Sequence, residues 1–170
     1  GGGVRHSGAR AELTRLADGL NIPVVTSLNG KDTFLSTHPL SAGVVGSYSR
    51  ASANRTIGEA DLVCFVGSKT GGMTTHFWQV PAPGIDAIQI DIEPAEIGRN
   101  YPLKAAVQGD AKTVLSAMAE MMDKETANIR TAWTTRMQTI ASEWQTEYKP
   151  LLTSDDVPIR PERMCRDLTD

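Results

Sequence analysis

Short apolar bursts alternate along the chain with stretches in which apolar residues recur every three or four positions. Ala9, Leu13, Leu16 and Leu20 fall on one face of a helix whose expected N-cap is Ser7, with Gly19 near its end and Pro23 blocking continuation. PVVTS (23–27) is β-branched and predicts a strand, and LNGKD after it has the composition of a turn. HPLSAGVVGSYS (38–49) predicts a loop, and 51–59 a helix in spite of Gly58. DLVCFVGS (61–68) is an uninterrupted apolar run, suited to a strand covered on both faces as in a parallel sheet. AIQIDI (87–92) and KAAVQGD (104–110) predict two further strands. Asp110 then caps a helix running through Met122, with Val114, Leu115, Met118 and Met122 turned inward.

Strands and helices thus alternate in order, which predicts an α/β fold: a doubly wound, Rossmann-like parallel sheet with helices on both faces. The texture changes near residue 125. Ile129, Trp133, Met137, Ile140, Trp144 and Tyr148 are spaced by four, four, three, four and four, the pattern of one long amphipathic helix that Pro150 should end. The polar stretch TSDDVPIRPERMCRDLTD, with prolines at 158 and 161, predicts a linker and the first turns of a helix belonging to a following unit. The expected organisation is a central nucleotide-binding-like α/β domain over 1–124, a helix packed on it over 125–150, and a linker leading into the next domain over 151–170. Doubly wound domains usually open on a strand, and GGG at 1–3 is the loop expected to follow one, so a first strand is expected upstream in a longer polypeptide.

Charge removes several functional classes. Lys and Arg number 17 against 20 Asp and Glu, for a net charge of −3 and a pI near 5.6, so a phosphate-backbone footprint for nucleic acid is not expected. No apolar run approaches the ~18 residues that span a bilayer, and the amino terminus does not read as a signal peptide. Cys64 and Cys165 lie far apart, without a CxxC or Cys/His partner at zinc spacing, so a reduced cytoplasmic setting is expected. His6, His38 and His76 are widely spaced and lack acidic partners at catalytic spacing. Lys31 reads as a solvated turn lysine, and THFW (75–78) as either a partner-facing patch or buried packing.

Six segments follow one another in order: GGG (1–3), IPVVTSLNGKD (22–32), HPLSAGVVGS (38–47), ANRTIGEADLVCFVGS (53–68), IQIDIEPAEIGRNYP (88–102) and VQGDAK (107–112). With IRPERM (159–164) after them, the chain resembles the central domain of thiamine-diphosphate-dependent enzymes of the acetolactate synthase group, which includes pyruvate oxidase, benzoylformate decarboxylase and oxalyl-CoA decarboxylase. The resemblance implies that the full-length protein is a transferase or lyase acting on 2-oxo acids. It implies thiamine diphosphate and magnesium in that protein, with a glutamate of the first domain activating the aminopyrimidine and a GDG…N motif of the third holding magnesium and diphosphate. Neither stands in this sequence, whose only Gly-Asp, Gly109-Asp110, is followed by Ala111. The segment is therefore expected to hold no catalytic residue and no metal site. Its implied partners are the remaining domains of the same polypeptide, assembled as a homodimer or tetramer.

In acetolactate synthases the central domain carries FAD, in oxalyl-CoA decarboxylases ADP, and in many relatives no ligand. A nucleotide needs glycines where its phosphates pass the backbone, amide donors at helix starts, and carboxylates at strand ends for ribose hydroxyls. By resemblance the candidate binding residues are Gly1, Gly2 and Gly3, Ser27 and Leu28, Gly46 and Ser47, Gly67 and Lys69, Asp91 and Ile92, and Asp110 and Ala111. The sequence departs from the FAD-binding pattern after the DLVCFVG strand. Where those synthases carry an arginine and an acidic, arginine-containing run, this chain has Ser68-Lys69-Thr70-Gly71-Gly72-Met73. Lysine keeps the charge without the bidentate fork. Local chemistry also accounts for both aspartates: Asp110 as a helix cap, and Asp91 as a solvated acid near a helix start. GGGVRHSG does not satisfy GxGxxG. FAD, ADP or no ligand thus all remain open, with a free-standing nucleotide-binding regulatory module as the alternative to a domain of a larger enzyme. A sirtuin-like NAD enzyme would need a GAGxS loop and usually four zinc cysteines, which the chain lacks.

Overall fold

The computed structural model describes residues 1–122 and 130–168. The first expected helix is α2 (Arg10–Leu20), and a short helix not expected, α1 (Gly2–His6), precedes it, the two parted by Gly8 at φ +65. Ser7 is not the N-cap. Its Oγ donates 3.3 Å back to the Val4 carbonyl and closes α1, whereas α2 starts from Ala9 with no side-chain cap. Of Gly1–Gly3, expected as a loop, Gly1 is the N-cap and Gly2 and Gly3 belong to α1 itself. The apolar spacing still reports the buried face: Ala9 and Leu16 are core, and Leu13 and Leu20 pack against them. Asn21, in the left-handed region, ends α2.

Strands β1 (Val24–Thr26) and β2 (Ser41–Val44) pair in parallel, joined through a 3₁₀ helix at Leu28–Thr33. β2 lies inside the stretch expected to be a loop. Its Gly43 has φ +99, and it becomes a strand by pairing with β1, Val25 against Gly43 and Thr26 against Val44. That is a tertiary effect to which local propensity is blind. Helix α3 (Ala51–Gly58) follows, and then a parallel sheet of β3 (Leu62–Val66), β4 (Asp86–Asp91) and β5 (Ala105–Gln108) in that order. Helix α4 (Ala111–Glu120) returns alongside α2 and stops two residues before Met122. The architecture is the expected α/β one, with its parallel strands in two pieces.

The apolar run of β3 is not covered on both faces. On one face Val63, Phe65, Ala87 and Tyr101 form a core cluster, the two rings 5.2 Å apart. On the other, Val66 packs against the cluster of Val4, Ala9, Leu16, Ala111, Leu115 and Ala119. Lower on that face Leu62 is 46% exposed. The Cys64 thiol beside it has an open edge but is crowded enough that desolvation pushes its pKa up to about 11.

Helix α5 (Thr131–Leu152) lies against α3. Of the predicted stripe, Met137 and Ile140 are buried, Trp133, Trp144 and Tyr148 are half-buried, and Ile129 lies outside the described residues. Pro150 does not end the helix. In the last turn it forgoes only the bond to the Thr146 carbonyl, and two further residues stay helical. The guanidinium of Arg136 forks onto Glu59 at 2.8 and 2.7 Å, and Arg50 lies 4.8 Å over the Trp144 ring. Exposed ion pairs contribute little, so the apolar contacts of Met137 and Ile140 hold the helix. Helix α6 (Pro161–Asp167) folds back on the end of α5, with Arg163 donating to the Ser154 carbonyl and to Asp155.

A candidate nucleotide cleft at the strand ends

Parallel strands deliver their carboxyl ends to one side, and there a cleft of about 880 Å³ opens beneath α1. The backbone at the end of β3 meets the backbone of α1 in this cleft, and the ends of β4 and β5 line it alongside. The Gly3 amide donates to the Gly67 carbonyl at 2.9 Å, and the Gly1 amine to the Val66 carbonyl at 2.7 Å. No side chain fits at this crossing. A Cβ on Gly3 would lie 2.7 Å from the Gly67 Cα, one on Gly1 2.3 Å from the Gly67 oxygen, and one on Gly67 2.6 Å from the Gly3 Cα. Gly67 also has φ +53. Gly2 is different. It lines the cleft, and a Cβ there would meet only the Asn29 Cβ, at 3.9 Å.

Burial of the Gly1 amine lowers its pKa from 8.0 to about 6, against the opposing charges of Asp91 and Cys64. A base with a depressed folded pKa binds fewer protons when folded than when unfolded between those two values. Stability therefore rises with pH across that window and levels off above it. In the 170-residue polypeptide urea unfolding should show a gain of about 2 kcal/mol from pH 6 to 8. Acetylation of Gly1 should flatten that rise, and an identical slope in the acetylated chain would contradict the burial.

Asp91 ends β4 and is only 7% exposed, yet it lines the cleft. One carboxylate oxygen accepts the Glu93 amide at 3.0 Å. Asp110 also lines the cleft and caps α4, one oxygen accepting the amides of Lys112 and Thr113 at 3.0 and 3.1 Å. Ser27, Gly67, Lys69, Ile92 and Ala111 join them in the lining. Leu28 is exposed and outside it. Gly46 and Ser47 brace the rim instead. The Ser47 amide donates to the Met73 carbonyl at 2.9 Å, and Gly46 exchanges two hydrogen bonds with the Asn54 amide group.

Two carboxamides that the sequence reading passed over hold the loop carrying Lys69. Gln89, fully buried on β4, donates to the carbonyls of Ser68 and Glu96 and accepts the Gly98 amide. Asn100 donates to the Lys69 and Thr70 carbonyls and to the Thr70 hydroxyl. Thr70 is left-handed at φ 49, and this clamp holds it there. A polar Gln between the two isoleucines Ile88 and Ile90 was the available signal. Farther out, His76, Phe77 and Trp78 form a left-handed turn at φ 48, 56 and 62, pinned by the Trp78 indole on the Thr70 carbonyl. Thr75 is buried, while Phe77 and Trp78 are 60% and 44% exposed, so the aromatic pair of THFW is not core packing.

Among the described residues no group of three or more His, Cys, Asp or Glu could hold a metal ion. Among them, too, no helix is long and apolar enough to cross a membrane.

Known proteins place this geometry in context. The family described as "Thiamine pyrophosphate enzyme, central domain" matches residues 1–118. The chain is 38% identical over 174 residues to a "Probable acetolactate synthase large subunit" of Methanocaldococcus jannaschii, covering 99% of this chain and 28% of that protein. It is 31% identical over 173 residues to an acetolactate synthase large subunit of Cyanidium caldarium, covering 99% of this chain and 29% of the other. A crystal structure of a Mycobacterium smegmatis protein assigned as thiamin diphosphate-dependent superposes with a TM-score of 0.56 at 27% identity, over 73% of this chain and 24% of that one. The chain thus spans under a third of the length of these relatives. It belongs to the central-domain family of thiamine pyrophosphate enzymes.

Proposed function

We propose that the chain is the central domain of an acetolactate synthase-like enzyme acting on 2-oxo acids, and that its cleft takes the ADP moiety of a nucleotide, as FAD or as ADP itself. The observation that carries the ligand reading is Asp91, a carboxylate almost wholly withdrawn from solvent yet facing a cleft that also holds Lys69 and the bare backbone of Gly2. A buried carboxylate with spare acceptor capacity suits ribose hydroxyls, and Lys69 suits a phosphate. Neither a protein clash nor a positive φ calls for glycine at position 2, so the space above it is left for a ligand.

The residues present do not fit thiamine diphosphate or its magnesium. Asp110 is followed by Ala111 and uses one oxygen on its cap, so no catalytic step is assigned to this chain. Binding of that cofactor falls to the remaining domains of the same polypeptide, in a homodimer or tetramer.

Titration of ADP against the chain should give binding that Asp91→Asn weakens by about tenfold, the value of a hydrogen bond to a charged group. Equal affinity in the variant would return Asp91 to a purely local role. Flavin colour retained by the full-length protein after gentle purification would choose FAD over ADP.

A further inference from the structure

Glu96 sits in the short 3₁₀ helix after β4 and is only 6% exposed. Both of its cationic neighbours use the same oxygen: Arg99 donates to Oε1 at 3.1 Å, and the Lys69 ammonium stands 3.6 Å from it. Oε2 is enclosed and has no hydrogen-bond partner. A buried carboxylate with an unpartnered oxygen is a costly arrangement.

Lys69 is held in two different ways. Its backbone is fixed, because Asn100 grips its carbonyl and that of Thr70. Its ammonium is loose: the side chain is 78% exposed, and 3.6 Å is too long for a hydrogen bond. If the ammonium leaves, Glu96 keeps Arg99. Lys69 is also the only lysine among the described residues lining the cleft.

We propose that Glu96 sets the anion affinity of the cleft through Lys69, holding the ammonium as a counter-ion until a ligand phosphate takes it over. This rests on the nucleotide reading above. Glu96 then competes with the ligand for the Lys69 cation, so binding becomes an exchange of ion pairs at that position, while Arg5 lines the cleft separately. The ligand class is a phosphate ester such as a nucleoside diphosphate. Glu96 is a positioning residue that touches Lys69 and not the ligand.

The test is calorimetric titration of ADP against the chain and its variants at low and high salt. Glu96→Gln keeps the side-chain shape and removes the competing charge. It should bind ADP about fivefold more tightly at low salt, as expected for loss of a roughly 1 kcal/mol pair, and the gain should shrink as salt screens it. In a Lys69→Gln background the same change should yield no gain. Unchanged or weaker binding by Glu96→Gln, or an equal gain without Lys69, overturns the proposal. Lys69→Gln alone changes an exposed side chain and serves even if Glu96→Gln fails to fold. It should weaken ADP binding and flatten its salt dependence, and an unaltered affinity overturns the proposal. If ADP binding responds to Asp91→Asn but not to Glu96→Gln, only the ion-pair exchange fails. If no variant binds ADP at any salt, the nucleotide reading itself fails.

Discussion

Gly3→Ala is expected to lower stability by about 3 kcal/mol, at the upper end of ordinary overpacking effects, whereas Gly2→Ala should leave the fold intact. The added methyl at Gly3 would sit 2.7 Å from the Gly67 Cα and 3.2 Å from its carbonyl oxygen. Both neighbours are backbone, and Gly67 is itself tied to β4 because its N–H donates to the Ile90 carbonyl at 2.8 Å. Neither side can yield without breaking the Gly3–Gly67 hydrogen bond that seats α1 on the sheet. At Gly2 the methyl meets one carbon at 3.9 Å, and alanine in a helix gains about 0.5–1 kcal/mol over glycine. The two variants therefore separate two meanings of one motif. Urea midpoints read the first effect. ADP affinity reads the second, since a methyl at Gly2 projects into the cleft and should reduce binding there. A Gly3→Ala chain with the parent midpoint would show that the crossing has more slack than described.

Leu115→Ala should cost a comparable amount, about 2–5 kcal/mol. Leu115 is fully buried at the centre of the cluster that joins Val4 of α1, Ala9 and Leu16 of the α2 region, and Ala111 and Ala119 of α4. Removing its side chain opens a cavity at the point where α1 and α4 are held against the end of β3. Met121, at 84% exposed, is the control, and its replacement by alanine should stay within about 0.5 kcal/mol. If Leu115→Ala and Met121→Ala unfolded at the same urea concentration, α4 would not be held by this cluster. The loss should also reach the cleft, because Asp110 and Ala111 begin the helix that Leu115 anchors.

Much of the architecture was legible because its signals are local. The apolar bursts of β3 and β4 announce strands by composition alone. Asp110 announces a helix start because a carboxylate can take up amides two and three residues ahead, and here it does. The spacing of Ala9, Leu13 and Leu16 marks a buried face regardless of where the helix begins. Ser7 misled because a hydroxyl can serve the helix behind it as well as the one ahead, and Gly8 settles which. β2 was invisible because SAGV has little strand preference and becomes a strand only against β1. Pro150 was overread because a proline in the last turn removes a single bond.

For the cleft the division is sharper. Asp91 stands out in sequence because it interrupts an apolar strand, and Asp110 because it follows Gly109 at the start of a helix. The clamp of Gln89 and Asn100 on residues 68–70, and the meeting of Lys69, Glu96 and Arg99, join side chains from separate loops and leave no periodic trace.

By itself the sequence determined the alternation of strand and helix, the strand-end aspartates and the family, since the first two rest on residues within a few positions of one another and the last on short segments in a fixed order. Only the tertiary structure decided that Gly1, Gly3 and Gly67 are demanded by a backbone crossing while Gly2 is not, that Asp91 is buried against a cleft, and that Lys69 is shared with Glu96. Close approach, desolvation and ion pairing depend on distance in space, and the segments concerned are brought together only by the fold.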